Sequence, residues 1–279
     1  MNFVATKTGS ASAEHQGDVL KPAQKNGRQP AGVLELRARP FDQPADHSEF
    51  AGNLLSRDDQ ERLLRNATLV EFRRGGMSVY SEGEPSDFVY FISEGIIRTS
   101  RCAENGHRQI LSFRVPGDIF GFPEGGRYVN SAETVCPGRI YRVPWQRLQQ
   151  MMLADPQLQL ILLEKLCYDF RQAQARIMIL GQQNIYQRLA SFILDLSRRP
   201  EFYDEKRARL RLPVNRFDLA DYLGTAPESA ARAFARLESD GLVRRVSTRM
   251  VEILNFEGLQ GLQRERRRSR SAAHTEAHP

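Results

Sequence analysis

The chain is poor in cysteine and in the arrangements that cysteine usually serves. Three residues, Cys102, Cys136 and Cys167, are scattered through 279 positions. They show no CxxC or Cys/His spacing, which argues against a disulfide framework or a structural zinc. Each is expected to be a small buried or half-buried side chain, with redox sensing as the alternative. Histidine is as sparse: His107 falls in a turn and the other four lie in the flanking tails, none with a companion that suggests a metal site. No apolar run approaches the roughly 20 residues of a membrane span, and the N-terminus lacks a signal-peptide core. A cytoplasmic protein with no membrane partner is expected. Nucleophile–base spacings and phosphate-cradling glycine loops are missing too, so nothing predicts an enzyme.

What is present suits two modest domains, with an ordinary 41% hydrophobic content. The formal net charge of +6 is unevenly placed. Arg207, Arg209, Arg211, Arg216, Arg232, Arg236, Arg244, Arg245 and Arg249 gather near one stretch, a distribution that favours a polyanion partner.

That stretch, RFDLADYLGTAPESAARAFARLESDG (216–241), reads as a helix-turn-helix. Phe217, Leu219, Ala220 and Leu223 supply the apolar positions of its first helix, and Gly224 stands at the corner. Thr225 with Glu228 forms a capping-box pattern for the second helix, and Pro227 suits its first turn. Ala230, Ala233, Phe234 and Leu237 recur at helical spacing and are expected to face inward. Pro227, Glu228, Ser229, Ala231, Arg232 and Arg236 remain for the outer side. A carboxylate there can accept from cytosine N4 and an arginine can fork onto guanine O6/N7. The plainer alternative is a surface helix on which Glu228 caps and Arg232 pairs with it four residues on. GLVRRVSTRMVEILNF then predicts two strands around a turn at Ser247 and Thr248, a wing that would bring Arg244, Arg245 and Arg249 to flanking phosphates.

Taken in order, residues 1–48 lack apolar periodicity and read as a disordered arm. From Ser56 an N-capped helix anchored by Leu63 and Leu64 leads into a domain spanning 49–144. Between Thr68 and Val143, short β-branched and aromatic runs are punctuated by Gly75, Gly76, Gly83, Gly95, Gly106 and Gly117. They predict a compact antiparallel roll. A helical region covers 145–181, broken and restarted at Asp155 and Pro156. There Leu163, Leu166, Phe170, Ala173, Ile177 and Leu180 are spaced alternately three and four apart, as in the seam of a two-stranded coiled coil between identical chains. Leu160, Ile161, Cys167 and Met178 form a second apolar face that could pack on the roll, and Gly181 marks a hinge. Asn184 and Gln187 read as a cap and its partner, opening a domain that runs from 182 to 262. Residues 201–211 are charged and expected to be a loop, and 263–279 form a basic disordered tail.

Two motifs in the roll, VYSEGEPSDFVYFISEGIIR with Gly83 and Gly95, and ILSFRVPGDIFGF with Pro116, Gly117, Asp118 and Gly121, resemble the sensor roll of the CRP/FNR family of bacterial transcription regulators. The run NIYQRLASFILDLSRR, the DLADYLG helix and the Glu228-x-x-x-Arg232 pattern resemble that family's FNR-type winged helix. The resemblance covers roughly 50–262. It implies an α+β chain with an N-terminal antiparallel β-roll of the cyclic-nucleotide-binding kind, a long dimerisation helix and a C-terminal winged helix-turn-helix.

The sequence also departs from the family. Its cyclic-AMP-binding members use a glutamate after Phe-Gly and an Arg-Ser pair, where this chain has Phe122 and Asn130-Ser131. Asparagine cannot supply the charged bidentate donor, so cyclic-nucleotide binding is not expected. A different small ligand stays open as an alternative. Ala231 replaces the serine of the FNR-branch recognition helix, which should keep the central G·C readout and alter an outer T·A preference. Residues 1–50 contain no cysteine, which excludes that branch's N-terminal iron-sulfur cluster. No cofactor is predicted. The resemblance thus points to cysteine-poor regulators of low-oxygen, nitrogen-oxide or nitrogen-fixation genes. These would be homodimers that bind double-stranded DNA and RNA polymerase and act as activators. The alternative is a ligand-binding or protein-interaction module whose winged helix contacts protein.

Overall fold

Alternating apolar residues build the N-terminal half of the computed structural model, which describes residues 65–104 and 106–263. The expected arm, the helix with Leu63 and Leu64, and the tail from 264 onward lie outside the described residues. Eight strands, β1 (Thr68–Phe72), β2 (Ser78–Tyr80), β3 (Phe88–Glu94), β4 (Ile97–Cys102), β5 (Arg108–Arg114), β6 (Ile119–Phe120), β7 (Ser131–Thr134) and β8 (Gly138–Pro144), form two four-stranded sheets. Their orders are β1-β8-β3-β6 and β2-β7-β4-β5. Every pairing is antiparallel. The sheets enclose Val70, Phe72, Ile92, Ile97 and Ile140. Gly95, with φ of +88°, turns β3 into β4 where a Cβ would lie 2.9 Å from the Pro137 carbonyl oxygen, so both dihedral and space call for glycine. The two-residue β6 is too short to show an alternation in sequence.

Two helices leave the roll. The first, α1 (Trp145–Ala154), ends at Asp155, whose carboxylate accepts from the amides of Gln157 and Leu158 and so starts α2 (Pro156–Gln182). Leu158, Ile161, Leu162 and Lys165 are the buried residues of α2. The expected second face is therefore only partly right. Ile161 packs on the roll, but Leu160 and Met178 are exposed, as is Cys167. The helix touches the roll along its first turns and then runs past it, so no residue after Lys165 is buried. Gly181 is no hinge but part of the helix, which needs no glycine stop because Asn184 opens the next one with a complete capping box.

That next helix, α3 (Ile185–Ser197), packs with α4 (Arg216–Leu223) and α5 (Pro227–Ser239) around Leu189, Ile193, Leu223 and Leu237. A sheet ordered β11-β12-β10-β9 closes this core, with β9 (Tyr203–Asp204), β10 (Arg209–Arg211), β11 (Val243–Ser247) and β12 (Met250–Ile253). Residues 201–211 are thus not a loop but two short strands around a 3-10 turn (Glu205–Arg207). Exposed Arg209 and Arg211 flank buried Leu210, which pairs with Val251, a partner too distant in sequence to signal itself. Cys102 and Cys167 are exposed, against the expectation of burial, and only Cys136 is half-buried.

Candidate nucleic-acid interface

The corner between α4 and α5 is built locally. Asn215 caps α4 through its side-chain oxygen, 2.9 Å from the amides of both Phe217 and Asp218. Gly224 ends it at φ of +67°, in the left-handed region. Leu219, Ala220 and Leu223 are buried as expected, but Phe217 is 53% exposed, beneath the Arg216 guanidinium. The expected Thr225–Glu228 capping box does not form. The N-cap of α5 is Ala226, with Pro227 at the first position and no side-chain cap. Thr225 thus stands outside the helix and Glu228 one position too early for the reciprocal bond.

Ala230, Ala233, Phe234 and Leu237 form the buried stripe of α5. Glu228, Ala231, Arg232 and Arg236 are exposed, and Pro227 and Ser229 are half-exposed. Arg232 donates to the Ser229 hydroxyl at 3.0 Å and does not pair with Glu228. Arg236 lies 4.5 Å over the Tyr186 ring and 3.7 Å from Asp240. In the wing, Glu238 of α5 accepts from the Arg245 amide at 2.7 Å, while the Arg245 guanidinium stacks on Phe234. Arg244 reaches Glu252 at 3.4 Å, and Arg249 occupies the β11–β12 turn with its amide on the Ser247 hydroxyl. The wing is thereby fastened to α5 while its three arginines stay exposed.

Of the six seam residues, Leu163, Leu166, Phe170 and Ile177 are between 42% and 68% exposed on the single chain. Ala173 is exposed too, and Leu180 is half-buried.

Within the roll, the space under Gly121 holds aromatic rings. Tyr80 stacks on Tyr128 at 3.9 Å, and Tyr90 stacks on Phe120 at 5.3 Å. A Cβ at Gly121 would already lie 2.8 Å from Tyr90. Asn130 accepts from the Tyr80 hydroxyl, which leaves no cation at the Arg-Ser position, and burial pushes the Tyr80 and Tyr90 hydroxyls well above the ordinary tyrosine range. These residues do not fit a cyclic phosphate, which needs a charged bidentate donor and an open cavity.

Sequence reasoning missed a tie between the two halves of the chain. Arg98 on β4 and Arg108 on β5 grip Asp218 and Asp221 on α4. Ile96 and Val115 of the roll join the winged-helix core. Partners 110 and 120 residues apart leave no local signal.

Residues 187–262 match the Crp-like helix-turn-helix domain, and residues 69–155 match the cyclic nucleotide-binding domain. The chain is 31% identical over 185 residues to the nitrogen fixation regulation protein FixK of Azorhizobium caulinodans, covering 66% of this chain and 75% of that one. It belongs to the CRP/FNR family of DNA-binding transcription regulators. Within that family it is FixK/FNR-like. The transcriptional activatory protein AadR of Rhodopseudomonas palustris is 32% identical over 206 residues, covering 72% of this chain and 78% of AadR. The solved structure of FixK2 from Bradyrhizobium japonicum superposes with a TM-score of 0.65 at 28% identity, over 70% of this chain and 96% of FixK2. The sensor roll, long helix and winged helix-turn-helix are thus the family's α+β architecture. Among the described residues, no helix is long and apolar enough to cross a membrane.

Proposed function

We propose that this CRP/FNR regulator works as a homodimer that reads an inverted repeat, its half-sites about one helical turn apart, through Glu228 and Arg232 of each α5. The carrying observation is the division of α5 into a buried apolar stripe and an exposed stripe holding Glu228, Ala231 and Arg232. Glu228 would accept from cytosine N4, and Arg232, released from Ser229, would fork onto guanine. Ala231 offers a methyl contact to thymine. Pro227 and Ser229 border the groove, and Arg236, Arg244, Arg245 and Arg249 serve the flanking phosphates.

Dimerisation is supported by the α2 seam. Covering the exposed parts of Leu163, Leu166, Phe170 and Ile177 from two chains is worth on the order of 10 kcal/mol. That is comparable with an association cost of about 4–15 kcal/mol. Ala173 and Leu180 continue the seam. The aromatic filling of the roll favours regulation without a cyclic nucleotide. The names of the relatives, a nitrogen fixation regulation protein for FixK and a transcriptional activatory protein for AadR, favour activation of genes for nitrogen metabolism. RNA polymerase would be the partner in that activation, and low-oxygen genes a further target class.

Random-sequence selection on the purified protein should enrich a palindrome. Arg232→Ala should then cost about 1–3 kcal/mol and relax one base pair, whereas Arg245→Ala should weaken all sequences alike. No enrichment, or equal losses on specific and random DNA for both variants, would refute the reading and favour a winged helix that contacts protein.

A further inference from the structure

Both arginines of the tie are engaged twice. The Arg98 Nη1 group donates to the two oxygens of Asp218 at 2.9 and 2.8 Å, while its Nε donates to Glu133 on β7 at 3.0 Å. Arg108 gives Nη2 to Asp218 at 2.8 Å and Nε to Asp221 at 2.8 Å. Asp218 is 1% exposed, and Asn215 completes its shell at 2.9 Å. Beside them the Gln109 amide donates to the Asp221 carbonyl at 2.6 Å.

A second anchor holds the other end of α4. Arg188 of α3 donates to the carbonyls of Leu223 and Leu180, bridging the ends of α4 and α2. The Arg176 guanidinium of α2 stacks 3.7 Å over Tyr222, which also meets Phe113 of the roll. None of the exposed residues assigned to the groove takes part.

We infer that Arg98 and Arg108 are positioning residues for DNA binding, which set the angle between the winged helix and the dimer axis and thereby the half-site spacing the dimer accepts. The inference rests on the palindrome-reading dimer proposed above. Since α4 and α5 share one core across the Gly224 corner, holding α4 holds the recognition helix. Half-sites stand about 34 Å apart, and successive base pairs about 3.4 Å, so a change of angle that carries each recognition helix along the duplex by about 3 Å shifts it by close to one base pair. Buried ion pairs add little net stability because desolvation offsets their attraction, but they demand a particular geometry, as forked arginine–carboxylate bonds do. A spacing gauge has that requirement.

The test uses full-length protein and a set of palindromes that differ only in spacer length, with a single half-site as control. Asp221→Asn keeps the volume of a partly exposed acceptor while weakening one grip, and Arg98→Ala with Arg108→Ala removes both. Both variants should accept neighbouring spacers, lose at least tenfold in affinity for the optimal palindrome, and bind the half-site within twofold of the parent. Arg108→Lys, which keeps the charge beside Asp218 and Asp221, should hold a narrower spacer profile than Arg108→Ala. If the double alanine variant does not fold, Asp221→Asn decides the matter alone. An unchanged spacer profile in a folded, dimeric variant overturns the inference, and tighter palindrome binding does so too by making the tie a brake. A parent protein that enriches no palindrome overturns the dimer reading, and this inference with it.

Discussion

Lys165 is the most testable residue of the fold. It is fully buried, at 0% exposure, on the face of α2 that meets the roll. Its Nζ lies 2.6 Å from Asp169 and 3.4 Å from Asp118, and Arg114 holds the other oxygen of Asp169 at 2.8 Å. Lys165→Met keeps most of the stem's volume and deletes the charge. Asp169 retains Arg114, so the damage falls on Asp118, which keeps its bond from the Val115 amide at 3.0 Å. Unpairing one buried carboxylate should cost about 3 kcal/mol, the low end for breaking a buried pair.

The loss should depend on pH. Burial by itself would raise the Asp118 carboxyl, but Lys165, Arg114 and Arg199 outweigh it and hold the group below its ordinary range. A lowered folded pKa contributes stability above the unfolded value of about 3.9, and that contribution vanishes as pH falls through the folded value. Without Lys165 the folded pKa moves up, so the variant gains on acidification relative to the parent and the gap narrows toward pH of about 4. Urea unfolding at fixed protein concentration reads this through the fluorescence of Trp145, the only tryptophan, set edge-on to Phe122 at 6.4 Å. Adding Asp118→Asn should recover most of the loss. A deficit below about 1 kcal/mol at neutral pH, or one that does not shrink in acid, would refute the reasoning.

Three further perturbations have defined outcomes. Gly224→Ala places a side chain at φ of +67° and a Cβ 3.4 Å from Gln109, and should cost about 1–2 kcal/mol in the urea midpoint. Asn184→Ala removes the 3.0 Å side-chain bond of the α3 capping box, leaves the bond from its own amide to Gln187 in place, and should cost about 1 kcal/mol by the same measure. Ile177→Asp puts a charge in the exposed seam. Sedimentation at micromolar concentration should then find monomers with unchanged helix content where the parent gives dimers.

Much of the architecture could be read without coordinates because its signals are local. Alternation and turn glycines mark the strands of the roll, Asp155-Pro156 and Asn184 with Gln187 mark helix starts, and Gly224 marks the corner. The outer face of α5 follows from the period of Ala230, Ala233, Phe234 and Leu237. Where competing cap positions were open, local pattern failed: Thr225 and Glu228 matched a capping box, yet Pro227 starts the helix one step later. The strand pair β9–β10 was hidden because its charged residues alternate around a single apolar Leu210 and its partner β12 lies far along the chain.

What sequence alone determined is therefore most of the helices and longer strands and the chemistry they present, since propensity, capping and periodicity act between residues a few positions apart. The tertiary structure decided where α2 leaves the roll, that Tyr80, Tyr90, Phe120 and Tyr128 occupy the roll's interior, and that Arg98 and Arg108 hold Asp218 and Asp221. Those outcomes depend on which distant surfaces are desolvated together, and the free energy of burying a charge or a ring is set by neighbours that no local pattern names.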